Sequence, residues 1–342
     1  MRLRAALVAG VLAIFSVTHA LALDAVRRLS GPTVSGSITK MTATEVTVEK
    51  KVGGAETVPV TDIVEVMFDN EPAQLKGAHR DIENGSFENA LATLDKIDVA
   101  GISRAEIQAE LQFLKALCQA KLALAGGGDV NAAGKAMNDF IVKHPSNYHW
   151  LAANEIVGDL LVATGKFDAA RQFYGQLEKS PFPDYKARAG VALGKSMVAE
   201  GKYPEALKQF EAVLALPAGK GSGADAQRLA ATLGKAACLA QSGKPDDGIK
   251  LVQDVIAGAD AEDAPLMAQA YVTLGNCYLK KPDSQKQALL AYLHVDVLYF
   301  SQPQAHAEAL KHLAILWNEL NKPERASQVQ QTLKDRYGGG AQ

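Results

Sequence analysis

The segment 189–196 has the residue types of a phosphate-binding loop. Its sequence, Ala-Gly-Val-Ala-Leu-Gly-Lys-Ser, satisfies a relaxed form of the glycine-rich pattern that surrounds the phosphates of ATP. That chemistry requires free backbone N–H groups after a buried strand. Here the segment lies inside an apolar helical pattern, and residues 233–236 repeat it as Leu-Gly-Lys-Ala. Because N–H groups inside a helix already donate to carbonyl oxygens, we do not expect nucleotide binding.

The histidines and cysteines form no catalytic or metal-binding motif. His306 and His312 are six residues apart, which does not place them on one helical face, and neither H-E-x-x-H nor G-x-S-x-G occurs. The cysteines lie far apart in apolar helical stretches, where free cysteine packs as a small hydrophobic residue; a reactive thiol is the alternative. They are Cys118, Cys238 and Cys277. We therefore expect no enzyme, cofactor or metal ion.

The chain is organised by a short turn that recurs between apolar helical stretches. The turn reads Gly-Lys-Phe-Asp-Ala-Ala at 165–170 and Gly-Lys-Tyr-Pro-Glu-Ala at 201–206, with looser copies elsewhere. The final small residues of the copies follow one another at intervals of 36 to 43 residues, at positions 90, 133, 170, 206, 248, 288 and 326. Two-helix repeats of this length stack into a solenoid with a continuous core.

A small residue also recurs inside the first helix of each pair, seven to nine positions before its turn. These residues are Gly158, Gly194, Gly234, Gly275 and Ala314, and leucine precedes three of the glycines, at 193, 233 and 274. This L-G pair and the G-x-Y-x-x-A turn resemble the tetratricopeptide repeat over about residues 72–337. The resemblance implies a mainly α superhelix of about seven helical hairpins. We expect the pairs at 72–97, 103–143, 148–179, 185–216, 223–257, 264–299 and 304–337.

In the tetratricopeptide repeat family the first helix of each pair lines a concave groove. Carried over unit by unit, the resemblance assigns ten side chains to this face: Glu155, Asp159, Arg188, Lys195, Arg228, Lys235, Gln269, Asn276, Glu308 and Lys311. The middle of the groove would be basic and one flank acidic, so the expected partner is a protein or peptide with an acidic or carboxylate-bearing segment. The alternative is a solvated basic face without a ligand.

Residues 1–22 have the pattern of a secretory signal peptide. A basic start containing Arg2 and Arg4 precedes an apolar run, and Ala20-Leu21-Ala22 supplies a small-x-small cleavage site. No cysteine follows that would carry a lipid anchor, and no later stretch is apolar enough to span a membrane. We expect a periplasmic or secreted protein; an uncleaved anchor is the alternative. The formal charge of −2 gives no reason to expect nucleic acid as a partner.

Residues 30–70 change to the period of β-strands. Four short runs rich in valine and threonine predict a small antiparallel barrel or roll, with a bend at Gly36. The pattern resembles SH3-like and Sm-like barrels. RNA binding, which some Sm-like members show, is not expected because no basic-aromatic surface is present. The segment would cover the exposed end of the first helical pair, and residues 338–342 would form a disordered tail.

Signal and repeat together predict an exported, non-catalytic scaffold that binds a protein or peptide. The resemblance extends to tetratricopeptide proteins of the bacterial envelope, which help to assemble outer-membrane and wall machinery. Two alternatives remain. One is a structural protein that self-associates into a matrix. The other is an enzyme with a site in or beside the β-rich segment, where Asp62 and Asp69 are the acids next to its later strands.

Overall fold

The computed structural model describes residues 23–216 and 222–338, with the backbone alone at 222–224. The predicted signal at 1–22 and residues 339–342 of the predicted tail lie outside this range. The described chain forms five β-strands followed by fourteen α-helices, with two short 3₁₀ turns. None of these helices combines the length and apolarity needed to cross a membrane.

The strands form one antiparallel sheet in the order β4-β3-β2-β1-β5. They are β1 (Asp24–Arg28), β2 (Val34–Met41), β3 (Glu45–Lys50), β4 (Gly54–Pro59) and β5 (Ile63–Met67). Alternate residues point into the core, and Val26, Val46, Val48 and Val66 are fully buried. Gly36 is required where β2 lies close against β3, because a Cβ atom there would overlap the carbonyl of Glu49.

The sheet corrects two predictions. It has five strands and not four, since β1 lies before residue 30 and pairs with both β2 and β5. Its sequence, Asp-Ala-Val-Arg-Arg, is mostly charged and gives little strand signal. Of the predicted barrel or roll, the closed barrel does not form: β4 and β5 are the two edges and do not pair with each other. A side-chain contact reaches across the opening, as Arg28 of β1 lies 3.1 Å from Glu56 of β4.

The helices form seven successive pairs, as the repeat predicts. They are α1 (Ala73–Glu83) and α2 (Phe87–Leu94), α3 (Ala105–Ala125) and α4 (Val130–Lys143), α5 (Trp150–Ala163) and α6 (Phe167–Glu178), α7 (Pro183–Ala199) and α8 (Tyr203–Leu214), α9 (Ser222–Gln241) and α10 (Pro245–Gly258), α11 (Ala264–Leu279) and α12 (Gln285–Leu298), and α13 (Pro303–Glu319) and α14 (Pro323–Tyr337). The predicted boundaries differ from the observed ones by a few residues.

The recurring turn ends the first helix of a pair with a left-handed glycine. Gly165 has φ 71° and Gly201 has φ 77°. After α5, the N–H of Lys166 donates to the carbonyl of Leu161 at 2.9 Å, and that of Gly165 donates to Val162 at 2.9 Å. This bond pattern satisfies the last carbonyls of the helix and reverses the chain. The Gly-Lys pair in the sequence is therefore a helix stop.

The glycines inside the first helices receive aromatic rings from the second helices. A Cβ atom on Gly194 would lie 2.5 Å from the Phe210 ring, and one on Gly275 would lie 2.6 Å from the Tyr292 ring. Tyr174 packs on Gly158 in the same way. Phe210 also contacts Gly234 of the next unit and is fully buried between the two glycines. These glycines allow the close approach of helices on which the stacking depends.

The helical array returns to its own start. The first helices of successive pairs pack in the order α3, α5, α7, α9, α11 and α13, and α13 packs against α3. This contact between the two ends of the array, called the seam, continues at the loops. There the carbonyl of Ser301 occupies the position that a Cβ on Gly85 would need. Tyr337 at the end of α14 lies beside Gly127. Six of the seven first helices, all but α1, thus form a closed series of contacts, and α3 is buried on nearly all sides. The side of this series turned away from the second helices is called the inner face.

The sheet is fixed to the first helices by buried ion pairs. Asp24 of β1 is 4% exposed and accepts hydrogen bonds from both terminal nitrogens of Arg104, at 2.6 and 2.9 Å. Its oxygens also accept from the N–H of Ile38 and of Asp69. The Arg104 guanidinium lies 5.0 Å from the centre of the Phe68 ring. One carboxylate therefore joins β1, β2, the end of β5 and the start of α3.

Candidate partner-binding face

Helix α5 contributes two carboxylates to the inner face, one turn apart. Asp159 accepts a hydrogen bond from the Tyr174 hydroxyl at 2.8 Å, and Tyr174 is the ring that packs on Gly158. Burial, and after it the nearby Glu155 carboxylate, raises the pKa of Asp159 to about 6. Lys121 of α3 and Lys195 of α7 act in the opposite direction. Three neighbouring first helices therefore share this part of the face.

Helix α7 contributes Arg188 and Lys195, whose surroundings differ. Arg188 forms an ion pair with Glu155 and lies 5.0 Å from the centre of the Tyr185 ring. Lys195 is exposed and has no ion-pair partner among the described residues. The segment that satisfies the phosphate-loop pattern is part of α7, so its backbone N–H groups belong to the helix.

The two cations of α9 are engaged within the array. Arg228 donates to the carbonyl oxygens of Leu214 at 2.9 Å and Leu216 at 3.3 Å, which are free because α8 ends there. Lys235 pairs with Glu211 of α8 at 2.9 Å. The charge of Arg228 therefore stabilises a helix end, and that of Lys235 is offset by a carboxylate.

Helices α11 and α13 form a second polar stretch. Asn276 accepts a hydrogen bond from the Tyr292 hydroxyl at 2.6 Å and donates to Glu308 of α13 at 3.1 Å. His312 stacks on the Tyr292 ring with centres 4.7 Å apart, and burial lowers its pKa. Lys311 is exposed without an ion-pair partner in the described chain. The remaining predicted residue, Gln269, contacts Thr273 at 3.5 Å.

The packing of α13 against α3 brings together residues that had not been predicted as part of the binding face. A cavity of about 160 Å³ is lined by Lys121 of α3, Gln269 of α11 and residues 302–305 at the start of α13, with Phe87 of α2. Lys121 was missed because α3 lacks the internal glycine on which the prediction depended. Tyr174 and Tyr292 were also missed, although each follows the glycine of its first helix by 16 or 17 residues, which is a usable signal.

A second polar cluster lies under the sheet. Glu110 of α3 is 1% exposed and accepts a hydrogen bond from Tyr148 at 2.9 Å, and His149 lies 3.1 Å from it. His79 of α1 lies 3.5 Å from the same carboxylate and 3.9 Å from Glu65 of β5. Burial alone would raise the pKa of Glu110, but the two histidines hold it below its usual value. The cluster joins α1, α3, β5 and the loop before α5.

The other residues considered for chemistry, the cysteines and Asp62, are either buried in the core or bonded to neighbouring residues. All three cysteines are buried and unpaired, and burial raises the pKa of Cys118 and Cys277 to about 12, which confirms their prediction as packing residues. Asp62 accepts from the N–H and hydroxyl of Ser30 at 2.8 Å and pairs with Arg28 at 2.6 Å. The described residues contain no group of histidine, cysteine and acidic side chains arranged to hold a metal ion.

Comparison with known proteins bears on the helical array. Residues 191–264 match the tetratricopeptide repeat family. A Rap protein in complex with competence and sporulation factor is 15% identical, with a TM-score of 0.57 over 78% of this chain and 75% of that protein. The array is a tetratricopeptide-like solenoid. The apo quorum sensor NprR of B. thuringiensis gives 0.51 at 15% identity, covering 77% of this chain and 74% of its own.

A tetratricopeptide repeat protein from Parabacteroides merdae gives a TM-score of 0.46 at 15% identity over 77% of this chain and 91% of its own. No curated protein sequence matches the chain. At these identities the similarity establishes the fold alone. The tetratricopeptide-like array confirms the predicted fold class of the helical part, while ligand and location are matters of proposal.

The raised pKa of Asp159 predicts a pH dependence of stability. The folded state holds this proton more tightly than the unfolded chain, so the contribution of Asp159 to stability is fully present below about pH 4 and is lost as the pH rises to about 6. A shift of two pKa units corresponds to at most about 3 kcal/mol. Asp159→Asn should flatten the urea-unfolding profile across this range, and Asp139→Asn on the outer helix α4 should not. Equal profiles for Asp159→Asn and the wild type would contradict the assignment.

Proposed function

We propose that the protein is a non-catalytic scaffold whose inner face binds an extended segment of a protein or peptide. The inner face is formed by the ten predicted groove residues together with Lys121. The observation that supports the proposal is that Asp159, Arg188 and Asn276, on three of the first helices, are already held in place by contacts with Tyr174, Tyr185 and Tyr292. Such prior ordering lowers the entropic cost of binding.

The dimensions of the array favour an extended ligand. Six helices packed in a ring at the usual axis spacing of about 8–10 Å leave its centre about 8–10 Å from each axis. Side chains occupy about 5–6 Å of that distance, so a ring of this size would leave room for no more than about one extended chain. The similar Rap protein, solved in complex with competence and sporulation factor, supports ligand binding as a property that this fold can have.

We further propose that the ligand presents a carboxylate to Lys121, Lys195 and Lys311. Arg188, Arg228 and Lys235 are engaged by Glu155, by carbonyl oxygens and by Glu211. The three lysines have no ion-pair partner among the described residues, so their charges are available to a ligand. The cations available to a ligand would then lie on α3, α7 and α13, and not at the predicted basic centre on α7 and α9.

Export and a role in assembly of the cell envelope complete the proposal. They are supported by the signal pattern at 1–22 and by the repeat. The sheet would be an open relative of the SH3-like barrels, supported by the 3₁₀ turn between β4 and β5 and by the pairing of β5 with β1. It would cover the first helical pair, as its contacts with α1 and α3 suggest.

Random-sequence peptides displayed on phage would test the inner face. We expect enrichment of acidic sequences, with affinity reduced more than about tenfold when Lys121, Lys195 and Lys311 are together changed to glutamate. The matched control changes three exposed lysines of second helices to glutamate: Lys208, Lys250 and Lys334. If both triple variants lose binding equally, or neither does, the inner face is not the binding site.

Self-association is a second candidate function, favoured by an apolar strip on α12. Leu290, Val297 and Leu298 are 57%, 63% and 59% exposed, and Phe300 follows at 48%. Exposed apolar patches of this kind mark contact surfaces. Light scattering over a concentration series distinguishes the two functions, since large assemblies that form without peptide and disappear in Val297→Glu would favour self-association.

A further inference from the structure

A cavity of about 530 Å³ lies where the sheet meets the helices, and it shares no lining residue with the inner face. Its base is apolar, formed by Ile97, Ile102 and Ile107, each no more than 7% exposed. Its rim is polar, with contributions from the end of β5, the start of α1 and the segment before α3. The rim residues are Asp69, Asn70, Gln74, Asp98, Ser103 and Arg104. A cavity of this size, with an apolar base and polar groups on its rim, can hold a small ligand.

The rim carries uncompensated negative charge. One carboxylate oxygen of Asp69, Oδ1, is buried without a hydrogen-bond partner among the described residues. Asp98 uses Oδ1 to accept from the N–H of Ala100 at 3.0 Å, and no cation pairs with it in the described chain. Asp98 is exposed, and neither rim carboxylate has an ion-pair partner among the described residues.

The one cation on the described rim does not supply this charge. Both terminal nitrogens of Arg104 are bonded to Asp24, and its Nε lies 3.5 Å from Glu106. Its guanidinium is also held over the Phe68 ring. Since its donors are engaged by carboxylates that do not line the cavity, Arg104 neither neutralises Asp69 and Asp98 nor attracts an anion.

We propose that this junction cavity binds an organic cation with an apolar stem, such as an alkylammonium group. The stem would lie on the three isoleucines, and the charged head would pair with Asp69 and Asp98. Asn70, held in the left-handed region with φ 59°, would add an amide beside the head group. The cation is either a free small molecule or the lysine side chain of a partner, and the two share this chemistry.

Titration calorimetry with n-butylammonium, n-butanol and butyrate tests the charge and the stem separately. We expect the ammonium to bind and the alcohol and the anion to bind at least about tenfold more weakly. Asp69→Asn and Asp98→Asn should each weaken ammonium binding about tenfold. The control is Asp95→Asn, because Asp95 is a nearby exposed carboxylate that pairs with Lys115 outside the cavity.

Two results would overturn the proposal: equal binding of the ammonium and the alcohol, or equal effects of Asp95→Asn and the two cavity variants. Far-ultraviolet circular dichroism of each variant shows whether it is folded, and only folded variants are compared. A blocked Gly-Lys-Gly tripeptide and its norleucine analogue identify the source of the cation. Tighter binding of the lysine peptide than of butylammonium indicates a partner's side chain, and the reverse order indicates a free amine.

Discussion

Phe210→Ala is expected to lower the free energy of unfolding by about 3–5 kcal/mol, the range for removal of a fully buried aromatic ring. Phe210 is 0% exposed and contacts Gly194 of its own unit and Gly234 of the next. Neither glycine has a side chain that could move into the cavity, so little collapse is expected. Urea unfolding followed by circular dichroism measures the loss. A change below about 1 kcal/mol would mean that this ring does not hold the two units together.

The glycines supply a matched test of the same contact. Gly194→Ala adds a methyl group 2.5 Å from the Phe210 ring, whereas Gly175→Ala in α6 adds one to open space. In a helix the exchange alone stabilises by about 0.5–1 kcal/mol, but overpacking costs about 1–3 kcal/mol. We expect Gly175→Ala to raise stability and Gly194→Ala to lower it. The same sign for both variants would contradict the packing described.

Arg104→Ala is expected to destabilise the protein by about 3–5 kcal/mol at neutral pH, because it leaves the buried Asp24 carboxylate without its cation. Lys115→Ala, in the helix that follows Arg104, is the matched control. Both basic side chains are 27% exposed, but the Asp24 side chain is 5% exposed and the partner of Lys115, Asp95, is 60% exposed. The control should cost less than about 1 kcal/mol. Comparable losses would show that Asp24 is not effectively buried.

The pH dependence of this difference gives a second measurement. Burial alone would raise the pKa of Asp24, but the hydrogen bonds from Arg104, Asp69 and Ile38 lower it below its usual value. The stabilisation is therefore present above the pKa of the unfolded chain, near 4, and is lost as the pH falls through the folded value. The gap between the wild type and Arg104→Ala should narrow below about pH 4. A gap that widens on acidification would exclude this explanation.

The helical array was predictable because its signals are local. The Gly-Lys turn ends a helix by its own backbone geometry at 165 and 201, and the internal glycines mark the helix contacts seven to nine positions before each turn. Strand β1 was not predictable in this way, since its side chains Asp24 and Arg27 are paired with Arg104 and Glu65, which lie 38 or more residues away. The open sheet likewise depends on which strands become edges, and no single strand contains that information.

The helices that carry the candidate residues were predicted, but the charge partners of those residues were not. The family pattern places Arg188, Arg228 and Lys235 on the first helices, where they are found. Their partners come from other units: Glu155 precedes Arg188 by 33 residues, and the carbonyl of Leu214 is exposed only because α8 ends there. Lys121 belongs to the face through the packing of α13 on α3, a contact between segments nearly 200 residues apart. These partners can be identified only when the stacking of the units is known.

The contact of α13 with α3 fixes the number of units as well as their arrangement. An open superhelix tolerates gain or loss of a repeat at the cost of one interface, but a ring of six first helices has a circumference that must match its curvature. Duplicating or deleting one pair would separate Ser301 from Gly85 and Tyr337 from Gly127. We therefore expect related sequences to differ by substitutions within units. Their number of repeats should stay constant, because the contact between α13 and α3 requires it.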